Sequence, residues 1–333
     1  MAYVGDDDVT AQAYALADNR TAELGSYDEQ ALKDLIDKVA AVDPELVRVS
    51  GWSDEAVQDL LDKIEAAQPK ELKEDVIPDV AATSKSKVGN VWQLGNHRLL
   101  CGDATILASY EVLMQGEKAT MMFTDPPWNV AIGKDSNPRH RQREGLENDD
   151  LSAGDFTLFL RSFAESAIQF VDGDVYCVLG ASEWPTLDLN MRAVGFHWSA
   201  TVIWVKDLFV LGRAKYHRRY EPIWYGWNSK GKSSFQGRRD LDDVWEIDRP
   251  RRSEEHPTMK PIELMVMAIE NSSALRDLVL EPFAGSGSTI IACEQTGRAA
   301  RAIELEPRYC DVIVTRWENL TGKKAVLLNA QPA

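Results

Sequence analysis

Between residues 91 and 325, short apolar runs alternate with longer segments whose apolar positions recur every three to four residues. The runs "HRLLCGD", "ATMMFTD", "DVYCVLG", "WSATVIWV", "EPIWYGW", "DLVLEPF" and "RAARAIEL" predict strands. The segments "LSAGDFTLFLRSFAESAIQFV", "PIELMVMAIENSS", "GSTIIACEQTG" and "PRYCDVIVTRWENLTG" predict helices. Such alternation predicts an α/β fold with a mostly parallel sheet, because a parallel connection needs a crossover and a helix supplies it. Ligands in such folds bind outside the carboxyl ends of the strands.

The pattern before residue 91 is different. "TAQAYALADNRTAEL", "DEQALKDLIDKVAAV" and "SDEAVQDLLDKIEAA" carry only the helical period, the last behind a plausible N-cap at Ser53. From about 68 to 90 the periodicity fades into proline, lysine and small polar residues. The expectation is a small helical segment over 1–80, a linker over 81–90 and an α/β domain over 91–333. No internal repeat is present.

Two strand ends carry candidate chemistry. "MMFTDPPWNV" closes an apolar run with Asp125, Pro126, Pro127 and Trp128. Neither a helix nor a continuing strand accommodates two prolines, so the carboxylate sits on a stiff corner. By itself that is also what an ordinary turn looks like. "DLVLEPFAGSGSTIIACEQTG" holds Gly285 and Gly287 between a strand and a helix that Ser288 or Thr289 can open. No Gly-Lys-Ser/Thr follows, so this is not a Walker loop. Glu304 ends the next strand, where an acidic residue can accept hydrogen bonds from ribose hydroxyls or simply face solvent. The two together favour a nucleoside.

Charge changes the picture only in its distribution. The chain has 333 residues, 44% hydrophobic and 27% charged, with a net charge of −16. Residues 1–90 hold 9 Lys and Arg against 20 Asp and Glu, whereas 205–252 hold 12 against 7. An acidic first part is thus joined to a locally basic segment, which can face a polyanion or merely solvent. Cys101, Cys177, Cys293 and Cys310 form no CxxC pair and read as free thiols; no metal site is expected. No apolar run reaches membrane length and the N-terminus lacks signal-peptide regions, so a cytoplasmic protein is expected, in a bacterium or a phage-infected cell.

The motifs carry a family resemblance. "PFAGSG" resembles the S-adenosylmethionine loop of amino-methyltransferases, "TDPPW" their catalytic motif, and "HPTMKP" the segment that often precedes the cofactor loop. Their order resembles that of the β group of DNA amino-methyltransferases, and "WVKDLFVLGRAKYH", "EPIWYGW" and "VWEIDRPRRSEEHPTMKP" resemble a phage and prophage adenine-methylase subfamily. The resemblance implies a Rossmann-like methyltransferase acting on N6 of adenine in double-stranded DNA, with S-adenosylmethionine as cofactor, and it leaves a restriction partner open. Asp125, Pro126, Pro127 and Trp128 would be the catalytic clamp. Asp103, Thr258, Lys260, Glu281, Phe283, Gly285, Ser286, Gly287 and Glu304 would be the cofactor side, although Asp103 after Gly102 also reads as a turn residue. His256 reads as structural.

This sequence departs from the commonest pattern at Trp128, where tyrosine is usual, and at Glu281, where aspartate is usual. Asp125 in the first position of the clamp favours adenine and leaves cytosine N4 as the alternative. Residues 205–255 are expected to recognise DNA through Arg213, Lys215, His217, Arg218, Arg219, Arg238 and Arg239, and 131–150 to be a mobile loop. Trp198, Trp204, Trp224, Trp227 and Trp245 read mostly as core. Residues 1–80 resemble part of a ParB-like module, which keeps open a homodimer or a non-enzymatic DNA-binding partition adaptor.

Overall fold

The computed structural model describes residues 29–67, 77–81, 83–129, 150–210, 215–237, 241–248 and 260–329. The chain divides into two compact units, Met1–Glu71 and Leu72–Ala333.

In the first unit, α1 (Glu29–Val42), α2 (Pro44–Val49) and α3 (Asp54–Ala67) enclose a small core. Leu32, Ile36 and Val39 lie one helical turn apart on α1 and meet Val47, Trp52 and Leu60. Ser53 caps α3 by accepting the Ala56 N–H at 3.1 Å, as its sequence position anticipates. Helix α2 was not anticipated, because six residues are too few to display a period. It starts where Asp43 accepts the Glu45 N–H at 3.0 Å and Pro44 supplies a helical φ. The first predicted helix, "TAQAYALADNRTAEL", lies outside the described residues.

Among the described residues, the second unit has ten strands: β1 (Val91–Leu94), β2 (His97–Cys101), β3 (Ala119–Thr124), β4 (Val171–Val178), β5 (Phe196–Val210), β6 (Arg218–Asn228), β7 (Val244–Glu246), β8 (Leu278–Glu281), β9 (Ala299–Glu304) and β10 (Val326–Leu327). They form one sheet in the order β10-β1-β2-β9-β8-β3-β4-β6-β5-β7. The centre, β2-β9-β8-β3-β4, is parallel throughout. Antiparallel pairs flank it, β10-β1-β2 on one side and β4-β6-β5 on the other. All seven predicted runs are strands, whereas β1, β7 and β10 are short pieces held by their neighbours.

Helices α4 (Leu107–Met114), α5 (Ala153–Ala167) and α6 (Trp184–Val194) cover one face, and α7 (Ile262–Ser272), α8 (Ser288–Thr296) and α9 (Pro307–Thr321) the other. The alternation of β3 feeds both cores. Met121 and Phe123 join Leu264, Ile290 and Trp317, while Met122 joins Leu113, Phe163 and Leu187. Residues 84–86, expected within a linker, are fixed to this unit. Asp311 on α9 accepts hydrogen bonds from the backbone N–H groups of Lys85 and Ser86 and from both serine hydroxyls. The four cysteines are buried and unpaired.

This topology sets the site. Strands β2, β9, β8 and β3 are adjacent and parallel, so the loops after all four leave the same edge of the sheet. Asp103, Glu304, Gly285 and Asp125 follow or end those four strands in that order.

Candidate active site

Asp125 follows β3, and a quarter of its side chain still faces solvent. Its two oxygens face different donors. Oδ1 accepts the indole N–H of Trp128 at 2.9 Å, and Oδ2 accepts Lys260 Nζ at 2.5 Å. Lys260 Nζ also lies over the Trp128 ring, 4.8 Å from its centroid. The indole is wedged against the loop after β4, where a Cβ on Gly180 would come within 3.0 Å of Trp128 Cε3. Asn129, at φ +55°, anchors the far side of the corner. Its side chain accepts the Leu151 N–H at 2.6 Å and donates to the Leu151 carbonyl at 3.1 Å. The expected mobile loop lies almost wholly outside the described residues.

Behind Lys260 the charges continue. Glu221 on β6 places Oε2 3.5 Å from Lys260 Nζ, and its Oε1 pairs with Lys206 on β5. Burial pushes the Asp125 carboxyl above the usual range, an effect the Lys260 ammonium opposes and the Glu221 charge adds to. Burial alone would lower the Lys260 ammonium, but the Asp125 and Glu221 carboxylates outweigh it and its pKa is raised. The sequence placed Lys260 with the cofactor loop; the structure sets it against Asp125.

The second loop is held from below. Gly285 adopts φ +54° with open space where a side chain would be, and its N–H donates to Glu304 Oε2 at 2.7 Å. Glu304 Oε1 accepts the Glu306 N–H at 2.9 Å, so one carboxylate ties two strand-end loops. Gly287, at φ +85°, is different: a Cβ there would sit 2.9 Å from Ile313 on α9. Its backbone approach is to the protein's own helix. Gly287 is also the N-cap of α8, with no side-chain bond, and Ser288 opens the helix, as anticipated.

Thr289 instead donates its hydroxyl to Glu281 Oε2 at 2.8 Å, and Glu281 Oε1 accepts the Phe283 N–H at 3.0 Å. Glu281 is 3% exposed and braces the loop from inside. Burial raises its pKa to about 8 and that of Glu304 to about 7. Phe283 packs between Phe159 and Phe163, with centroids 5.6 and 5.3 Å away. Arg316, buried on α9, donates to the Ser286 carbonyl at 2.9 Å. Asp103 takes the turn arrangement, its Oδ1 accepting the N–H and hydroxyl of Thr105 at 2.8 and 2.7 Å.

Lys206 and Glu221 lie within the quoted runs "WVKDLFVLGRAKYH" and "EPIWYGW" but were not singled out as site residues, and Arg316 and Gly180 lie in a helix and a loop that show no motif. The doublet of Lys260 with a buried glutamate has no linear signature at all. Of the expected DNA-facing residues, Lys215, His217, Arg218 and Arg219 are exposed beside Phe209 and a 90%-exposed Tyr216. His217 stacks on Phe209 with centroids 5.3 Å apart. Arg213, Arg238, Arg239, His256 and Thr258 lie outside the described residues. Trp204, Trp224 and Trp245 are core, as expected, whereas Trp198 and Trp227 are half-buried.

The stretch that carries the carboxylate corner and the glycine loop also matches known proteins of one kind. The family model described as DNA methylase matches residues 119–315, which includes both strand-end loops. The chain belongs to the DNA methylase family. Its sequence is 39% identical over 225 residues to YubD of Escherichia coli (strain K12), covering 64% of this chain and 86% of YubD. It is 27% identical over 231 residues to the DNA adenine methyltransferase YhdJ of the same strain, covering 58% of this chain and 74% of YhdJ. One further curated relative is matched over only 32% of its length. The fold is similar to that of the PvuII DNA methyltransferase, which is cytosine-N4-specific, with a TM-score of 0.53 and 16% identity over 72% of this chain and 94% of that one. Among the described residues, no helix is long and apolar enough to cross a membrane.

The two glycines should separate on mutation. Gly287→Ala forces Ile313 aside at a positive φ and should lower the melting temperature. Gly285→Ala strains only the backbone, costing about 1–2 kcal/mol, so any larger loss should appear in ligand affinity. Thermal unfolding and calorimetry on both variants check this; equal destabilisation would contradict it.

The raised carboxyls also give a pH dependence. Glu281 and Glu304 hold protons more tightly folded than unfolded, from the ordinary 4.5 up to about 8 and about 7. Their stabilising contribution is complete below 4.5 and is lost as pH rises through those values. The melting temperature of the ligand-free chain should therefore fall across this window, and Glu281→Gln should flatten the fall.

Proposed function

We propose that this DNA methylase transfers a methyl group from S-adenosylmethionine to the exocyclic N6 of adenine in double-stranded DNA. The observation that carries this reading is the adjacency of Asp125 and the Gly285 loop at the ends of the paired strands β3 and β8. S-adenosylmethionine supplies an electrophilic methyl group on a sulfonium.

The residues present fit such a group. Gly285 leaves its outer side open, and carboxylates stand at the ends of β8 and β9 to accept from amino and hydroxyl groups. Those oxygens already brace backbone N–H groups, so a ligand would use their remaining lone pairs.

Asp125 and the Pro126 carbonyl accept the two N–H bonds of the base. That pulls the amino nitrogen toward a tetrahedral geometry and frees its lone pair for attack. The prolines hold both acceptors in place before the base arrives, so little reorganisation is needed. The Trp128 ring, fixed by its N–H bond to Asp125 and by Gly180 behind it, offers a face for a base flipped out of the duplex. No covalent intermediate on the protein is required.

Asp125 in the first position of the clamp and the relative YhdJ support adenine. The fold neighbour specific for cytosine N4 keeps that amino group as the second reading. The basic, aromatic end of β5 and β6 supplies phosphate contacts and part of the base readout. The helical unit before the linker, with its ParB-like resemblance, would position DNA or pair two copies. A cytoplasmic location accords with this chemistry.

Asp125→Ala should slow methyl transfer by about 10²–10³ while leaving cofactor affinity largely intact, since it removes one preorganised acceptor. Labelled-methyl transfer alongside calorimetry measures both; near wild-type turnover would remove the clamp. Mass spectrometry of nucleosides from DNA methylated by the protein should find N6-methyladenine, and N4-methylcytosine alone would favour the second reading.

Neutralising Arg218 and Arg219 together should weaken DNA binding. It should also lower the slope of log K against log salt by about one unit per lost phosphate contact. A slope unchanged from wild type would place the DNA-facing surface elsewhere.

A further inference from the structure

Lys260 stands where the base is expected. Its ammonium occupies Asp125 Oδ2 at 2.5 Å and covers the Trp128 ring at 4.8 Å, the two features of the clamp that would receive an amino group and a base ring. An ammonium held against both imitates the donor and the face of a bound base. A base entering the clamp needs that ammonium to move aside.

A destination is built next to it. Among the described residues, Glu221 Oε2 is buried without a hydrogen-bond partner and lies 3.5 Å from Lys260 Nζ. Less than an ångström separates that from a charge-assisted contact of roughly 2.8 Å. Glu221 cannot swing away to find another donor, because Lys206 pairs with its other oxygen. Lys206 is fixed in turn, with its ammonium 5.2 Å from the Trp204 ring centroid and its carbonyl accepting Arg219 Nε at 3.0 Å.

We propose that Lys260 is a two-position latch, which covers the Asp125 clamp in the free protein and moves onto Glu221 when the target base enters. Glu221 and Lys206 are its positioning residues. Moving between two carboxylates keeps the ammonium paired throughout, which avoids the large cost of a buried charge left alone. The departing ammonium also returns the full acceptor strength of Asp125 to the base. This inference rests on the reading of Asp125 as a base clamp.

The test uses the full chain, S-adenosylmethionine and a duplex carrying the sequence it methylates, with a fluorescent analogue of the methylated base at the target. Base entry is read as fluorescence, and kcat and KM for DNA are read separately. Glu221→Gln removes the receiving charge, so Lys260 stays on Asp125. Fluorescence should fall and kcat/KM should drop roughly tenfold, with cofactor affinity unchanged.

Lys206→Met should act in the opposite direction. With one cation gone, Glu221 attracts Lys260 more strongly, so the clamp opens more readily, fluorescence rises and KM falls. Glu221→Asp, which withdraws the charge by one methylene, should recover part of the loss, and it gives the same readout should Glu221→Gln not fold.

A structural role alone would make both neutral variants lose together. That result, or unchanged fluorescence in both, overturns the latch while leaving the clamp standing. Failure of the wild-type chain to methylate DNA at all would instead remove the clamp, and the latch with it.

Discussion

The parallel pairing of β8 with β3, registered at Met121 with Val279 and Met122 with Leu280, is the constraint on which the site depends. The two strands are more than 150 residues apart in the chain, so closing the intervening loop carries an entropic cost that local contacts cannot offset. The buried residues of β3 and β8, packed between helices on both faces, supply the compensation. Once that pair forms, two loops without chemistry of their own face one another at a single edge. Neither the carboxylate corner nor the glycine loop would be a site alone.

Within that edge, charge is organised in alternating order. Asp125, Lys260, Glu221 and Lys206 follow one another from the mouth of the site into the β5–β6 strands. A buried carboxylate without a partner is costly, and each member of this series offsets the burial of the next. The arrangement also joins the carboxylate corner to the ends of β5 and β6 that carry the exposed basic and aromatic residues. Arg219 belongs to both, being exposed and also bonded to the Lys206 carbonyl.

The glycine loop follows a different logic, that of support from beneath. Ile313 fills the space that a side chain at Gly287 would need, and Arg316 holds the Ser286 carbonyl. Glu281 and Glu304 spend part of their bonding capacity on backbone N–H groups of the loops themselves. Rigidity of the backbone and burial of these carboxyls therefore come from the same contacts. Burial raises their pKa values, and the backbone N–H bonds oppose that rise.

Much of this was legible in the linear chain. Apolar periodicity determined all seven main strands, the helices that follow the two motif loops and the parallel character of the sheet centre, because burial on both faces demands continuous apolar runs. Local chemistry determined the stiff corner at Pro126 and Pro127 and the positive-φ turn at Gly285, since both are properties of single residues. The short strands β1, β7 and β10 were illegible, being stabilised by neighbours distant in sequence. So were the roles of Lys260, Glu221, Lys206 and Ile313. Ion pairs and close packing across a sheet depend on which strands lie side by side, and that order is decided only when the whole chain has folded.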